Sequence, residues 1–293
     1  MKSVLVVGAT GNIGKEIVNA LARRGGREVL AAARDARKAD TQFQGLSGVR
    51  AVELNLDQPD TLPQALTGAD ALVLVNPLVP GIGAQTRSLV AAAKQAGVAR
   101  VVRCSLIGAG EPEPITEAKW HTEADEAIQS SGLRFTLLRP NQYFQNFVNA
   151  RATNTVRTQG AIYLPLADSR VSNIDTRDLG EAAARVILDD SGAHDGKAYT
   201  LTGGEANTMA ELAEALSASL GKPVKYVPVS EDQTRQGMLG VGMPPIIVDA
   251  ILGWFGYCRA GRAARVSEDS ARLLGRKPRG VTDFARDYAH HYR

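Results

Sequence analysis

A run of largely β-branched residues, Ser3-Val4-Leu5-Val6-Val7, stops at Gly8-Ala9-Thr10-Gly11-Asn12-Ile13-Gly14, and apolar residues then recur at Ile17, Val18, Leu21 and Ala22. The run has the composition of a buried parallel strand, and the later positions have the spacing of one helical face. The glycines between them stand at positions 8, 11 and 14. Gly8 permits a tight turn, Gly11 lets the backbone approach a pyrophosphate, and Gly14 allows close packing of the helix, whose N-terminus faces the anion. A glycine triplet alone is a weak signal. Directly after a strand and opening a helix, it reads as the phosphate turn of a dinucleotide-binding unit. The alternative is a sharp loop whose glycines serve no ligand.

The same alternation continues. Strand-like runs at Glu28–Ala33, Val49–Leu54, Ala71–Val75, Val98–Cys104 and Arg134–Leu138 are separated by helical patterns at Pro59–Leu66, Gln85–Ala96 and Thr116–Ser130. Parallel neighbours need crossover connections, so this order predicts an α/β fold, a Rossmann-type doubly wound parallel sheet. From Asn141 the rhythm loosens, and it returns with an alanine-rich helix ending at Leu188 and a strand at Tyr199–Thr202. We therefore expect an NAD(P)-binding Rossmann domain from residues 1–140 plus about 171–203. A smaller α/β substrate-covering domain is expected from about 141–170 and 204–293.

Composition narrows the function classes. With 293 residues, 44% hydrophobic, the chain can bury a large core. Its net charge of +3 contains no block of like charges that would mark a nucleic-acid partner. Cys104 and Cys258 lie far apart and outside any Cys-x-x-Cys pair, and His194, His290 and His291 lack ligand partners at metal spacing. Neither a disulfide framework nor a metal site is expected, and a reducing, cytoplasmic setting is the simplest reading. The apolar run after Lys2 meets Gly8 too soon for a signal peptide. Met238–Cys258 is the most apolar stretch, but Pro244, Pro245 and Asp249 interrupt it, so it reads as lining a pocket or an oligomer contact, not as a membrane span. It permits a homodimer without requiring one.

Cofactor choice is decided at the end of the second strand, Ala32-Ala33-Arg34-Asp35. A guanidinium there can hold a ribose 2′-phosphate, so Arg34, with Lys38 a turn later, favours NADPH over NADH; the acidic Asp35 next to it pulls the other way. Thr10, Asn12 and Ile13 complete the phosphate turn. Asp57 is placed to meet the adenine end, and Asn76 and Pro77 line the groove at the fourth strand's end. None of the seven tyrosines has a lysine four residues on, which removes the Tyr-x-x-x-Lys proton relay of common short-chain dehydrogenases. Ser105, Lys119 and His121 stand in that neighbourhood instead. Ser105 lies outside a G-x-S-x-G context, so a hydrolase is not expected. Lys119 and His121 project about 200° apart on a helix, so only one faces the reaction. His121 is chosen, because its ordinary pKa suits proton exchange near neutrality. The alternative is a histidine that only orients the cofactor. Asn141, Tyr143, Phe144 and Asn146 combine flat apolar faces with polar tips, as a planar aromatic acceptor requires. The alternative is a hydrophobic staple holding the smaller domain.

At the phosphate turn, Arg34, Trp120-His121-Thr122-Glu123-Ala124-Asp125, Ser131–Pro140, Asp175-Thr176-Arg177-Asp178-Leu179 and Tyr199–Gly203 the chain resembles the NmrA-like, atypical short-chain dehydrogenase group. It is similar there to NAD(P)H quinone reductases and triphenylmethane-dye reductases, and more distantly to isoflavone-reductase-like proteins. The resemblance implies an NADPH-dependent reductase of a quinone, dye or other conjugated aromatic acceptor, or a biosynthetic tailoring reductase. It also implies that His121 occupies the position at which isoflavone-reductase-like relatives carry a lysine base. A second implied class is a non-catalytic, dinucleotide-binding redox sensor that regulates a partner protein.

Overall fold

The computed structural model describes residues 2–148 and 150–293. The chain opens with β1 (Ser3–Val7), α1 (Gly14–Arg24), β2 (Glu28–Ala33), α2 (Ala36–Gln42), β3 (Val49–Glu53), α3 (Leu62–Ala65), β4 (Ala71–Val75) and α4 (Ile82–Gln95). It continues through β5 (Arg100–Cys104), α5 (Thr116–Gln129), β6 (Arg134–Pro140), α6 (Ala150–Gln159), β7 (Ala161–Leu164), α7 (Thr176–Leu188) and β8 (Lys197–Leu201). It closes with α8 (Met209–Leu220), β9 (Lys225–Pro228), α9 (Glu231–Gly240), α10 (Pro245–Arg259), α11 (Asp269–Leu274) and α12 (Val281–Tyr288).

Seven strands form one sheet in the order β3-β2-β1-β4-β5-β6-β8, and the pairings from β3 through β6 are parallel. The order reverses between β1 and β4, which puts the ligand crevice of a doubly wound sheet at their carboxyl ends. The predicted Rossmann-type architecture is therefore the observed one. β1 is buried along its whole length, whereas β3 is half exposed, as an edge strand must be. Leu5, Leu30, Leu72, Leu74, Leu89 and Ile128 belong to one continuous cluster with at most 1% of each side chain exposed. Truncating any of these leucines to alanine would cost about 2–5 kcal/mol. Gly180 of α7 lets α1 approach closely, since a Cβ there would lie 2.6 Å from the backbone of Glu16.

By compactness the chain divides into Met1–Pro114, Ala118–Pro140 and Thr176–Thr200 on one hand, and Ile115–Glu117, Asn141–Asp175 and Leu201–Arg293 on the other. The first unit carries the main sheet. The second contains the two-stranded β7-β9 sheet and helices stabilised by local capping: Thr208 and Glu211 close a capping box on α8, and Ser230 and Gln233 close one on α9. The apolar stretch around α10 splits in two. Val248, Leu252, Trp254, Phe255 and Tyr257 are buried in the second unit, while Leu239, Val241 and Ile246 before them are exposed. No helix among the described residues is long and apolar enough to cross a membrane.

Candidate active site

The phosphate turn stands between β1 and α1. Gly8 has φ +75°, and a Cβ there would lie 2.6 Å from the carbonyl oxygen of Val75, so a side chain is excluded on both counts. At Gly14 a Cβ would lie 2.0 Å from the carbonyl oxygen of Gly8 and 2.8 Å from Ala9 Cα, so the helix can start against the strand only without a side chain. Gly11 differs: it is exposed, and its Cβ would come no nearer than 3.3 Å to protein. Asn12 is also exposed, Thr10 and Ile13 are half-buried, and Ile13 provides no side-chain cap for α1. An uncapped N-terminus beside an open glycine fits a bound pyrophosphate.

At the end of β2, Asp35 is the N-cap of α2: its Oδ1 accepts from the backbone N–H of Arg37 at 3.0 Å and of Lys38 at 3.4 Å. That capping role accounts for the carboxylate that opposed an NADPH reading. Arg34 and Lys38 are exposed, and neither side chain makes an ion pair among the described residues. Asp57, exposed after β3, accepts a hydrogen bond from Gln85 Nε2 at 2.7 Å. Asn76 is half-buried at the end of β4, and Pro77 after it is exposed.

Asn76 leads into a buried polar network that strand periodicity does not reveal. Arg103, whose side chain is 0% exposed, interrupts the apolar sequence of β5. Its Nε donates to Asn76 Oδ1 at 3.2 Å, Nη1 to Asp125 Oδ1 at 2.5 Å, and Nη2 lies 3.1 Å from His121 Nδ1. Asp125 Oδ2 also accepts from Ser105 Oγ at 2.9 Å and from Arg139 Nη2 at 3.2 Å. Burial lowers the basicity of Arg103 and the adjacent carboxylate opposes this, so the guanidinium remains the charged partner. His121 and Asp125 are four residues apart on α5 and share a face. Arg103 and Asp125 were the missed members of the site. The available signals were a charge inside Val101-Val102-Arg103-Cys104 and an aspartate one turn after His121.

This environment changes how the chosen side chains can act. Burial, and then the charge of Arg103, push His121 down to about 3, so it is neutral at physiological pH. The premise of an ordinary histidine pKa is thereby corrected, because that value assumes a solvated imidazole. Ser105 is 2% exposed, and its hydroxyl is committed to Asp125. Lys119 is exposed.

The residues expected to meet a substrate lie in the second unit, and two of them prove to be packing residues. Asn141 is 0% exposed, with its amide donating to Ser172 Oγ and to the Ala263 carbonyl, both at 2.8 Å. Phe144 is 1% exposed and stacks on Phe284 at 5.2 Å. Both are corrected to structural roles, since neither has surface to offer a ligand. Tyr143 and Asn146 are half-buried.

Glu117, at the start of α5, is 7% exposed and has no hydrogen-bond partner among the described residues. Burial pushes its carboxyl up from 4.5 to about 8. The folded protein then keeps a proton that the unfolded chain releases, so stability falls as pH rises from about 4.5 to about 8. Glu117→Gln is expected to stabilise the fold at pH above 8 by on the order of 3 kcal/mol and to have little effect near pH 5. Urea denaturation at the two pH values measures this; an equal effect at both would show a solvated, ionised Glu117.

A glycine-rich phosphate turn at the switch point of a parallel sheet, with an unpaired arginine at the end of the second strand, defines a dinucleotide-binding Rossmann protein. The NmrA-like family matches residues 1–284, and the chain belongs to that family. It is 35% identical to the NAD(P)H azoreductase of Xenophilus azovorans over 286 residues, 98% of each chain. It is 30% identical to quinone oxidoreductase 2 of Escherichia coli over 251 residues, 85% of each. The crystal structure of the Citrobacter sp. triphenylmethane reductase complexed with NADP(H) superposes with a TM-score of 0.83 at 26% identity, covering 97% of this chain and 99% of that one.

Proposed function

We propose that this chain is an NADPH-dependent oxidoreductase that passes a hydride to a quinone, an azo or triphenylmethane dye, or another conjugated aromatic acceptor. The observation that carries the reading is the continuity of hydrogen bonds from Asn76, at the nucleotide groove, through Arg103 to His121. Relatives at 35% and 30% identity that are an azoreductase and a quinone oxidoreductase support the acceptor class. NADPH supplies the hydride when bound. The turn from Gly8 to Gly14 would hold the pyrophosphate, Arg34 and Lys38 would neutralise the 2′-phosphate, Asp57 would meet the adenine end, and Asn76 and Pro77 would line the groove. Tyr143 and Asn146 remain the proposed acceptor contacts. The residues needed are those that orient reactants, because hydride transfer between bound partners gains most from proximity. Both cysteines are free and buried, which suits the reducing cytoplasm where such a cofactor is supplied.

Loss of NADPH absorbance in the presence of a panel of quinones, azo dyes and cationic dyes, with NADH in parallel, tests this reading. Tight NADPH binding without turnover on any acceptor would instead indicate a non-catalytic sensor. Arg34→Ala is expected to raise the KM for NADPH by about 10- to 100-fold, the value of a lost charge-assisted contact, and to leave NADH within about twofold. Equal losses for the two cofactors would show that Arg34 does not touch the 2′-phosphate.

A further inference from the structure

His121 Nδ1 lies 3.1 Å from Arg103 Nη2. A guanidinium has only donors to offer, so Nδ1 must be the acceptor and the ring's single proton must sit on Nε2. His121 is 9% exposed, and its Nε2–H, which has no protein acceptor among the described residues, reaches that remaining surface. Arg103 cannot turn away, because Asp125 and Asn76 hold its other nitrogens. Arg103 on β5 faces the imidazole directly; Asp125, one turn later on α5, binds Arg139 of β6, and Glu117 stands one turn earlier on α5. Asp125 already answers both arginines and Ser105. A proton added to Nδ1 would have to face Arg103 directly. A polar hydrogen held in one direction at the open edge of an otherwise buried ring, with no protein acceptor, is placed to meet a ligand atom.

We propose that His121 is a fixed, neutral hydrogen-bond donor to the electron-accepting heteroatom of the substrate, a quinone oxygen or azo nitrogen, and that Arg103 is the positioning residue that locks its tautomer. This rests on the reductase reading and replaces acid–base work by His121 with electrostatic work. Two electrons and a proton arrive at a quinone as hydride from the nicotinamide donor, which is oxidised, and leave a hydroquinone monoanion. The Nε2–H donates to that oxyanion and keeps its proton. Solvent supplies the second proton and completes the hydroquinone. The geometry recurs whenever negative charge develops on an acceptor atom opposite a preorganised donor.

The primary test is long-range ¹H–¹⁵N correlation of the histidine rings in uniformly labelled full-length protein, where only four histidines need assignment, His121 by its absence in His121→Gln. The expected result is a neutral Nε2–H tautomer for His121 from pH 5 to 8. Titration of His121 in that range, or an Nδ1–H tautomer, would overturn the proposal and leave the reductase reading intact. Failure of all acceptors to react would sink that reading without changing the ring spectrum. Arg103→Met is expected to mix the tautomers and bring His121 into titration. Turnover supplies the second test. His121→Phe should lower kcat by about 10²-fold with KM for NADPH unchanged, whereas His121→Gln, which retains a neutral N–H donor, should stay within about tenfold of the parent. Equal losses in the two variants would show a proton-transfer role and overturn the proposal.

Discussion

Gly14→Ala is expected to abolish NADPH binding and to destabilise the fold in the same substitution. The new Cβ would sit 2.0 Å from the Gly8 carbonyl oxygen and 2.8 Å from Ala9 Cα, both backbone atoms that no rotamer can move aside. Either α1 retreats from β1 or the turn opens, and overpacking of this kind costs about 3 kcal/mol. The Gly8 oxygen also accepts from the Gly11 amide at 3.1 Å, so displacing it disorders the turn itself. Gly11→Val is the informative contrast. Its Cβ would lie 3.3 Å from the Gly8 carbonyl oxygen, a contact tight by a few tenths of an ångström, and the position is exposed, so folding should change by about 1 kcal/mol, less than in Gly14→Ala. Yet the side chain would stand where a pyrophosphate must approach, and affinity should fall by more than about 100-fold. Thermal unfolding and fluorescence titration with NADPH separate the two effects. Wild-type affinity in Gly11→Val would remove the pyrophosphate from this turn, and unchanged stability in Gly14→Ala would contradict the close helix–strand contact.

What the sequence made legible was whatever depended on local periodicity and on backbone sterics. β1, β2, β4 and α5 fall where alternating strand and helix patterns place them, because each buries a continuous apolar run or one helical stripe. α2 escaped notice because Ala-Arg-Lys-Ala-Asp-Thr-Gln has almost no apolar face; it is a helix by virtue of the Asp35 cap. The same cap hid the answer to the cofactor question, since an aspartate beside Arg34 looks like a ribose ligand until its carboxylate is found on two backbone amides. Around His121 the limit was of another kind. Which histidine occupies a family position can be read from a motif, but its protonation depends on Arg103, eighteen residues earlier, meeting it across the sheet ends. Asn141 and Phe144 show the converse error: residue types suited to an aromatic ligand are equally suited to packing, and only burial distinguishes the two uses.

Asp125→Ala should be the most damaging single change to the polar network, because it leaves the fully buried Arg103 without a counter-ion. Removing one partner of a buried pair costs about 3–5 kcal/mol, most of it the burden of the uncompensated charge that remains. Arg139, a quarter exposed, can turn to water and adds little to that cost. Asp125→Asn should fall between parent and alanine variant, since an amide oxygen can still accept from Arg103 or Ser105 without the charge. The double variant Arg103→Met/Asp125→Leu replaces both ions with apolar volume and should recover most of the lost stability, as apolar replacement of a buried pair commonly does. It should not recover turnover, because His121 then has no guanidinium to fix its tautomer. Urea denaturation and turnover of the best acceptor, measured on all three variants, place the network's purpose. Restored stability with restored turnover would show that the buried ions serve folding alone. Restored stability with turnover still depressed would show that they are kept for the orientation of one imidazole.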